Sequence, residues 1–194
     1  SLKYFLFLMI PSVAGVTVLS RQLLLILSTE EIANNAYFVV PFVAASTFLY
    51  GVTYFFNQIL VLRKKTKLVA GFWFASAVLN FSLNIILIPR FGILAAAITT
   101  FMSYLCSFIL IWHFSFKEFS FKIDWIFIAK SFMFSAVIGI FILWFKPNGL
   151  VQVIISIILA GLLYFAFMFF SKTVGKKEII FLKDLIYEMA FFSK

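Results

Sequence analysis

The sequence predicts an all-α protein, a polytopic bundle of six transmembrane helices that ends in an amphipathic surface helix. Three observations lead to this prediction. The 194 residues are 64% hydrophobic and only 12% charged, whereas soluble domains are about 45–50% apolar and about 25% charged. Apolar runs long enough to cross a bilayer, which takes about 20 residues, recur between short connections. These runs are apolar all round, so they exclude the ten-residue alternating strands of a lipid-facing barrel.

The first apolar run covers residues 4–27 and is interrupted by Pro11, Gly15 and Arg21. It either crosses in full or ends near Leu19, with residues 22–27 as an interfacial turn. Proline is tolerated inside a membrane helix when neighbouring groups satisfy the freed carbonyl. The other predicted spans cover 37–62, 68–88, 93–112, 125–145 and 150–170.

The connections between these spans are too short for interdomain linkers, so we expect one transmembrane domain over 1–171. They cover residues 28–36, 63–67, 89–92, 113–124 and 146–149. Pro89 and Gly92 enclose a tight break between two helices that fold back on each other. Residues 172–194 form a separate tail, in which apolar residues recur at helical spacing opposite Lys183, Asp184 and Glu188. This pattern predicts an amphipathic helix on the cytoplasmic surface.

The basic residues lie mainly between the apolar runs, so we interpret the net charge of +9 as topological rather than as a sign of nucleic-acid binding. Twelve of the 16 fall on one side of the predicted bundle and three on the other, while Lys130 lies within a span near its end. Short cytoplasmic loops are enriched in Lys and Arg. Both ends of the chain are therefore predicted to be cytoplasmic, and an even number of spans agrees.

Catalysis has no candidate in this sequence, and no cofactor or metal is expected. All seven acidic residues fall in predicted connections or in the tail. Glu30 and Glu31 follow Ser28 and Thr29 as in a helix start. His113 stands alone, and the single Cys106 excludes an intrachain disulfide and a cysteine metal cluster.

Polar residues inside the spans are the candidate functional residues. Asn80 and Asn84 lie one helical turn apart, and Asn57 and Gln58 follow Tyr50 and Tyr54 on a predicted helix. An amide in hydrocarbon is costly without a partner. These four side chains therefore either hydrogen-bond between helices or line a wet cavity, and both alternatives stay open. The small residues after Gly92 favour close helix packing.

Arg21 also has two interpretations, because a charge at mid-bilayer costs about 2.5–3.5 kcal/mol. It either marks the extracytoplasmic end of the first helix or faces a hydrated cavity through which an anionic substrate passes.

The stretch from Asn80 through Pro89, Arg90, Phe91 and Gly92 to Tyr104 resembles the repeat-end signature of polysaccharide and O-antigen flippases. These form the oligosaccharidyl-lipid branch of the multidrug/polysaccharide exporter superfamily. The basic run after residue 62 and the first helix with Pro11 also match features of the family. The resemblance covers residues 3–112 and rests only on helix count beyond residue 114.

The resemblance implies the last four helices of a second six-helix lobe, followed by two extra helices, in a fragment that lacks its amino-terminal lobe. It also implies a flippase in a bacterial inner membrane that moves a polyprenyl-diphosphate-linked oligosaccharide by alternating access. Expected partners are this lipid-linked substrate, membrane lipids, the missing lobe, a polysaccharide polymerase and glycosyltransferases. The residues expected to face the central cavity are Arg21, Asn57, Gln58, Asn80 and Asn84.

Other functions remain open. A peptidoglycan-precursor flippase or a multidrug/cation antiporter of the same superfamily would have the same helices. A fragment of a polytopic membrane glycosyl- or acyltransferase, or a structural membrane subunit, is the alternative from another class. A membrane enzyme would need an acidic or histidine motif in a part of the protein outside this sequence.

Overall fold

The computed structural model describes residues 2–119 and 123–171. Within these ranges the regular structure is entirely helical: α1 (Leu2–Val18), α2 (Ser20–Leu27), α3 (Glu30–Ala36), α4 (Val39–Leu62), α5 (Thr66–Glu118), α6 (Trp125–Phe145) and α7 (Leu150–Phe170). By length and composition four of these helices could cross a membrane, or five if the bent pair α1 and α2 is one crossing. The predicted amphipathic helix of residues 172–194 lies outside the described residues.

The first helix ends near Leu19, as one of the two predicted alternatives has it, but residues 22–27, which that alternative predicted as a turn, are part of helix α2. Helix α1 passes through Pro11 unbroken, and the chain then bends by 72° into α2. Leu19 at the bend leaves helical geometry with φ −91° and ψ 10°, and its side chain is buried. The bend therefore comes where a large apolar side chain anchors the chain, rather than at the proline.

Helix α5 is a hairpin of two antiparallel arms. As one straight helix its 53 residues would be about 80 Å long, far more than the roughly 30 Å of bilayer hydrocarbon. Gly92 breaks it with φ 59° and ψ −141°, a conformation essentially restricted to glycine. Across the arms, the Ser107 hydroxyl donates to Ser76 Oγ at 2.5 Å. The tight break predicted at residues 89–92 is thus confirmed.

Two predicted connections contain helix: residues 28–36 have the helix start expected at Glu30 and Glu31, whereas residues 113–124, predicted as a loop, are wrong in part. Residues 28–36 hold α3, whose first turn is capped by Thr29 Oγ1 accepting from the Ile32 N–H at 3.4 Å. The last arm of α5 continues past residue 112 to Glu118, where hydropathy alone predicted a loop. Contacts at its end explain the extension, since Ser115 donates to the Phe56 carbonyl at 2.8 Å.

Helix α4 packs along both arms of α5, and α1 lies between α4 on one side and α6 and α7 on the other. Gly51 permits the close approach of α1, because a Cβ there would lie 2.3 Å from the Phe5 ring and would have to displace it. On the other side of α1 the Phe7 ring meets Phe127 of α6 at 6.5 Å and Tyr164 of α7 at 5.4 Å. These aromatic contacts join the helices into one core.

One end of the bundle collects charged side chains, and we call it the basic end. Lys65 before α5 forms an ion pair with Glu118 at the end of α5, and Lys3 of α1 lies 3.8 Å from Asp124 before α6. Lys130 donates to the Ser171 carbonyl beyond α7 at 3.2 Å. Arg90 lies at the opposite end, at the turn of the α5 hairpin. These positions agree with the predicted separation of the basic residues between the two ends of the bundle.

Candidate functional site

The outer side of α4 carries an unusual row of polar and aromatic side chains, which we call the open face of α4. It consists of Thr47, Tyr50, Tyr54, Asn57 and Gln58, and their three- and four-residue spacing places them on one side of the helix. Tyr50 and Tyr54 are 47% and 53% exposed. The open face lies between the side of α4 that touches α1 and the side that packs on α5.

The outward sides of α6 and α7 differ sharply from the open face. Along the middle of both helices the exposed residues are apolar: Phe132, Met133, Val137, Ile140 and Phe141 in α6, and Ile154, Ile155, Ile158, Leu162 and Leu163 in α7. Such surfaces suit lipid chains, which offer no hydrogen-bond partners. The described bundle therefore has two kinds of outer surface, one suited to lipid and one that needs water or polar partners.

Asn57 and Gln58 lie on the open face after Tyr50 and Tyr54 along α4, and cavity lining by both stays a prediction. Asn57 Oδ1 is buried and accepts no hydrogen bond from the described residues, and Gln58 is half-buried. The Thr47 hydroxyl donates to its own helix at the Val43 carbonyl, 2.9 Å away, so its oxygen can still accept. This side of α4 thus has spare hydrogen-bonding capacity in a membrane-spanning segment.

An aromatic cluster flanks the open face where α4 meets both arms of α5. The ring centroid of Tyr50 lies 5.7 Å from that of Trp73 and 5.5 Å from that of Tyr104, and the latter two are 6.2 Å apart. Sequence reasoning missed Thr47, Trp73 and Tyr104 as candidates. The spacing of Thr47 from Tyr50 and Tyr54 was the available signal, whereas the approach of Trp73 and Tyr104 depends on the hairpin.

Asn80 and Asn84 lie within the α5 hairpin and connect its arms. Asn84 donates to Asn80 Oδ1 at 3.0 Å and accepts from Thr99 Oγ1 at 2.5 Å. Asn80 in turn donates to Thr100 Oγ1 at 3.5 Å. These bonds match the interhelical alternative of the sequence analysis. Both side chains are only half-buried, so the alternative that the same two residues line a cavity stays a prediction.

Arg21 lies on α2, just beyond the bend that ends α1. Its Nε and Nη2 atoms both donate to Asn34 Oδ1 of α3, at 3.0 and 2.8 Å, and its side chain is exposed. The structure therefore separates Arg21 from the open face of α4 and places it at the end of the bundle opposite the basic end. A role of Arg21 toward an anionic substrate stays a prediction.

An apolar cavity of about 310 Å³ lies between α1, α2, α6 and α7. Its wall includes small residues such as Gly15, Gly139 and Gly161, and two buried hydroxyls, those of Ser135 and Tyr164, lack a hydrogen-bond partner among the described residues. The cavity offers shape and apolar contact rather than chemistry. In the described part of the chain, no three His, Cys, Asp or Glu side chains are grouped so as to hold a metal ion.

The chain is similar to the probable low-salt glycan biosynthesis flippase Agl15 of the archaeon Haloferax volcanii, with 30% identity over 162 residues. The aligned region is 81% of this chain and 34% of the relative, so the chain spans about a third of the length of the curated relative it matches. No family model matches the chain, and no solved structure matches it significantly. The likeness to this protein and the membrane-length helices support at most a flippase-like family for the chain.

Proposed function

We propose that this chain forms part of a flippase that moves a polyprenyl-diphosphate-linked oligosaccharide across a membrane by alternating access. The single observation that carries this proposal is the open face of α4. It is polar over the middle of a membrane-length helix, in a bundle whose helices α6 and α7 have apolar outward sides. A sugar-bearing cargo needs a wet path through hydrocarbon, since unpaired polar groups there are costly.

The proposed membrane arrangement has six crossings: α1 with its bend, α4, each arm of α5, α6 and α7. Residues 172–194 would form the amphipathic helix on the surface. We place the basic end of the bundle in the cytoplasm, because Lys and Arg are enriched in short cytoplasmic loops. A further lobe of the protein would then lie across the open face of α4 and close the path.

Two observations support the cargo: the resemblance of residues 80–104 to polysaccharide flippases, and the name of the similar protein, a glycan biosynthesis flippase. An O-antigen or other polysaccharide repeat unit in a bacterial inner membrane is the specific form we propose. In that setting the chain would act beside glycosyltransferases and a polysaccharide polymerase, which make and consume the lipid-linked repeat unit.

The test is translocation by the complete protein that contains this sequence, reconstituted in liposomes with a lipid-linked oligosaccharide. We expect Thr47→Val combined with Gln58→Leu to slow translocation on the order of tenfold, because two hydrogen-bonding groups are lost from the path. Ser82→Ala is the matched control, since Ser82 is exposed at membrane depth on α5 but lies outside the open face. Unchanged translocation in the double variant, at equal protein amount, would contradict the proposed path.

The same liposomes distinguish the other functions. A multidrug/cation antiporter would move a cationic drug and leave the lipid-linked oligosaccharide in its original leaflet. A peptidoglycan-precursor flippase would prefer the lipid-linked disaccharide-peptide. A glycosyl- or acyltransferase would change the chemistry of the lipid rather than its leaflet.

A further inference from the structure

The cluster of Tyr50, Trp73 and Tyr104 meets α4 near the middle of its length, away from the helix ends at which interfacial aromatic residues lie. Tyr50 is eleven residues from the start of α4 and twelve from its end, so it lies about 17 Å from either end at 1.5 Å per residue. Trp and Tyr in membrane proteins concentrate at the two lipid–water interfaces. A position at mid-membrane therefore calls for another explanation of these polar rings.

A second aromatic cluster on the same helices shows what simple packing requires. Phe56 of α4 meets Phe108 at 6.0 Å and Phe116 at 6.3 Å, and Phe56 is 3% exposed. Trp112 packs against Phe108 at 5.8 Å and Phe116 at 5.6 Å, so this cluster also includes a ring with a polar atom, but its α4 member is buried phenylalanine. The cluster around Tyr50 differs because all three of its rings carry a polar atom and because its α4 member, Tyr50, is half exposed on the open face.

The exposed part of this cluster has the chemistry that a sugar ring needs. Aromatic rings are negative over their faces, so they attract the positively polarised C–H groups on one side of a pyranose. The hydroxyl groups of the sugar would find the Thr47 hydroxyl and the Gln58 amide on the neighbouring turns, whereas the Asn57 oxygen is buried. All side chains named for the open face are uncharged. The surface thus suits the neutral sugars of a glycolipid better than its diphosphate.

We propose that Tyr50, supported by Trp73 and Tyr104, stacks against a sugar ring of the transported oligosaccharide and makes the open face of α4 its sugar-binding surface. This assignment rests on the proposed flippase function and adds to it the part of the cargo that α4 contacts. Trp73 and Tyr104 act as positioning residues, because their edge and tilted contacts hold the Tyr50 ring in place.

The experiment compares two ligands on the complete protein in lipid nanodiscs: the polyprenyl-diphosphate-linked oligosaccharide, and the same polyprenyl diphosphate without sugars. Tyr50→Leu should weaken binding of the first ligand three- to tenfold, the range of one aromatic stacking contact, and leave binding of the second unchanged. Tyr50→Phe keeps the ring and should retain most of the affinity. Phe74→Leu is the matched control, since Phe74 lies one residue after Trp73 but is 72% exposed on another side of α5.

Fluorescence of Trp73 gives a second readout that does not depend on a variant of the site. In complete protein in which every tryptophan except Trp73, including Trp112, Trp125 and Trp144, is replaced by phenylalanine, the sugar-bearing ligand should change the emission of Trp73 and the bare lipid should not. Equal loss of both affinities in Tyr50→Leu would mean that the open face packs against protein and would overturn the sugar contact. An unchanged affinity for the oligosaccharide would overturn it as well.

These outcomes separate the two proposals. If wild-type protein binds both ligands but Tyr50→Leu loses nothing, the flippase proposal stands and the stacking contact falls. If wild-type protein binds neither ligand, the proposed function itself is wrong, and the sugar contact falls with it.

Discussion

Replacing Gly92 with alanine tests the hairpin on which the arrangement of the site depends. Gly92 has φ 59° and ψ −141°, and a Cβ added there would meet no heavy atom within 4 Å. The cost of alanine is therefore backbone strain alone, about 1–3 kcal/mol for a residue held in this region. We expect Gly92→Ala to lower the free energy of unfolding by that amount, measured by titrating the protein in mixed micelles with a denaturing detergent.

Gly71 offers a control on the same helix. A Cβ at Gly71 also meets no atom within 4 Å, but its backbone is helical. There alanine should raise the free energy of unfolding by up to about 1 kcal/mol, because glycine is a poor helix former. The free energies of unfolding of the two variants should thus change in opposite directions and differ by about 1–4 kcal/mol. If Gly92→Ala were as stable as Gly71→Ala, the chain would not turn back at Gly92.

Two further predictions use the same hairpin and its neighbour. In a Cys106→Ala background, Ser76→Cys with Ser107→Cys should form a disulfide readily, because the two hydroxyls lie 2.5 Å apart. Non-reducing gels detect the disulfide. If the pair Ser76→Cys with Ser103→Cys formed a disulfide faster, the register of the two arms would be refuted. Lys64 closes α4 in a left-handed conformation with φ 59°, while the Lys65 N–H bonds to the Leu60 carbonyl at 2.9 Å. Glycine is favoured there, so Lys64→Gly should raise the free energy of unfolding by about 1 kcal/mol in the same titration, and a loss of stability would refute the cap.

Helix bounds were predictable where the hydropathy boundary is sharp. Helices α6 and α7 occupy the predicted residues 125–145 and 150–170, because Asp124 caps the first by accepting from the Phe127 N–H at 2.9 Å and residues 146–149 separate the two. The prediction was poorer at residues 113–118, where the helix continues into polar sequence and Ser115 bonds to the distant Phe56 carbonyl. The helix start at Glu30 and Glu31 was predicted, but not the separate short helix α3 that follows from it.

For the candidate residues, too, the sequence predicted the position on a helix but not the surrounding contacts. The spacing of Asn80 and Asn84 placed them on one side of a helix, where they hydrogen-bond to each other, and hydropathy predicted the helix that carries Asn57 and Gln58. Spacing alone could not predict whether these side chains hydrogen-bond to another helix or stay exposed, because the helix that packs against a given side depends on how the chain folds back. Thr99 bonds to Asn84 only because Gly92 reverses the helix, whereas the open face of α4 has no such partner in the described residues.

The sequence by itself determined that this chain is helical and built of membrane-length segments, because composition and the length of apolar runs are local properties. It also determined where the chain turns at Gly92, since glycine and proline act on their own backbone. Only the tertiary structure decided that α4 keeps a polar and aromatic side open while α6 and α7 present apolar ones. That distinction depends on which helices cover which sides, and this is set by packing between residues far apart in the chain.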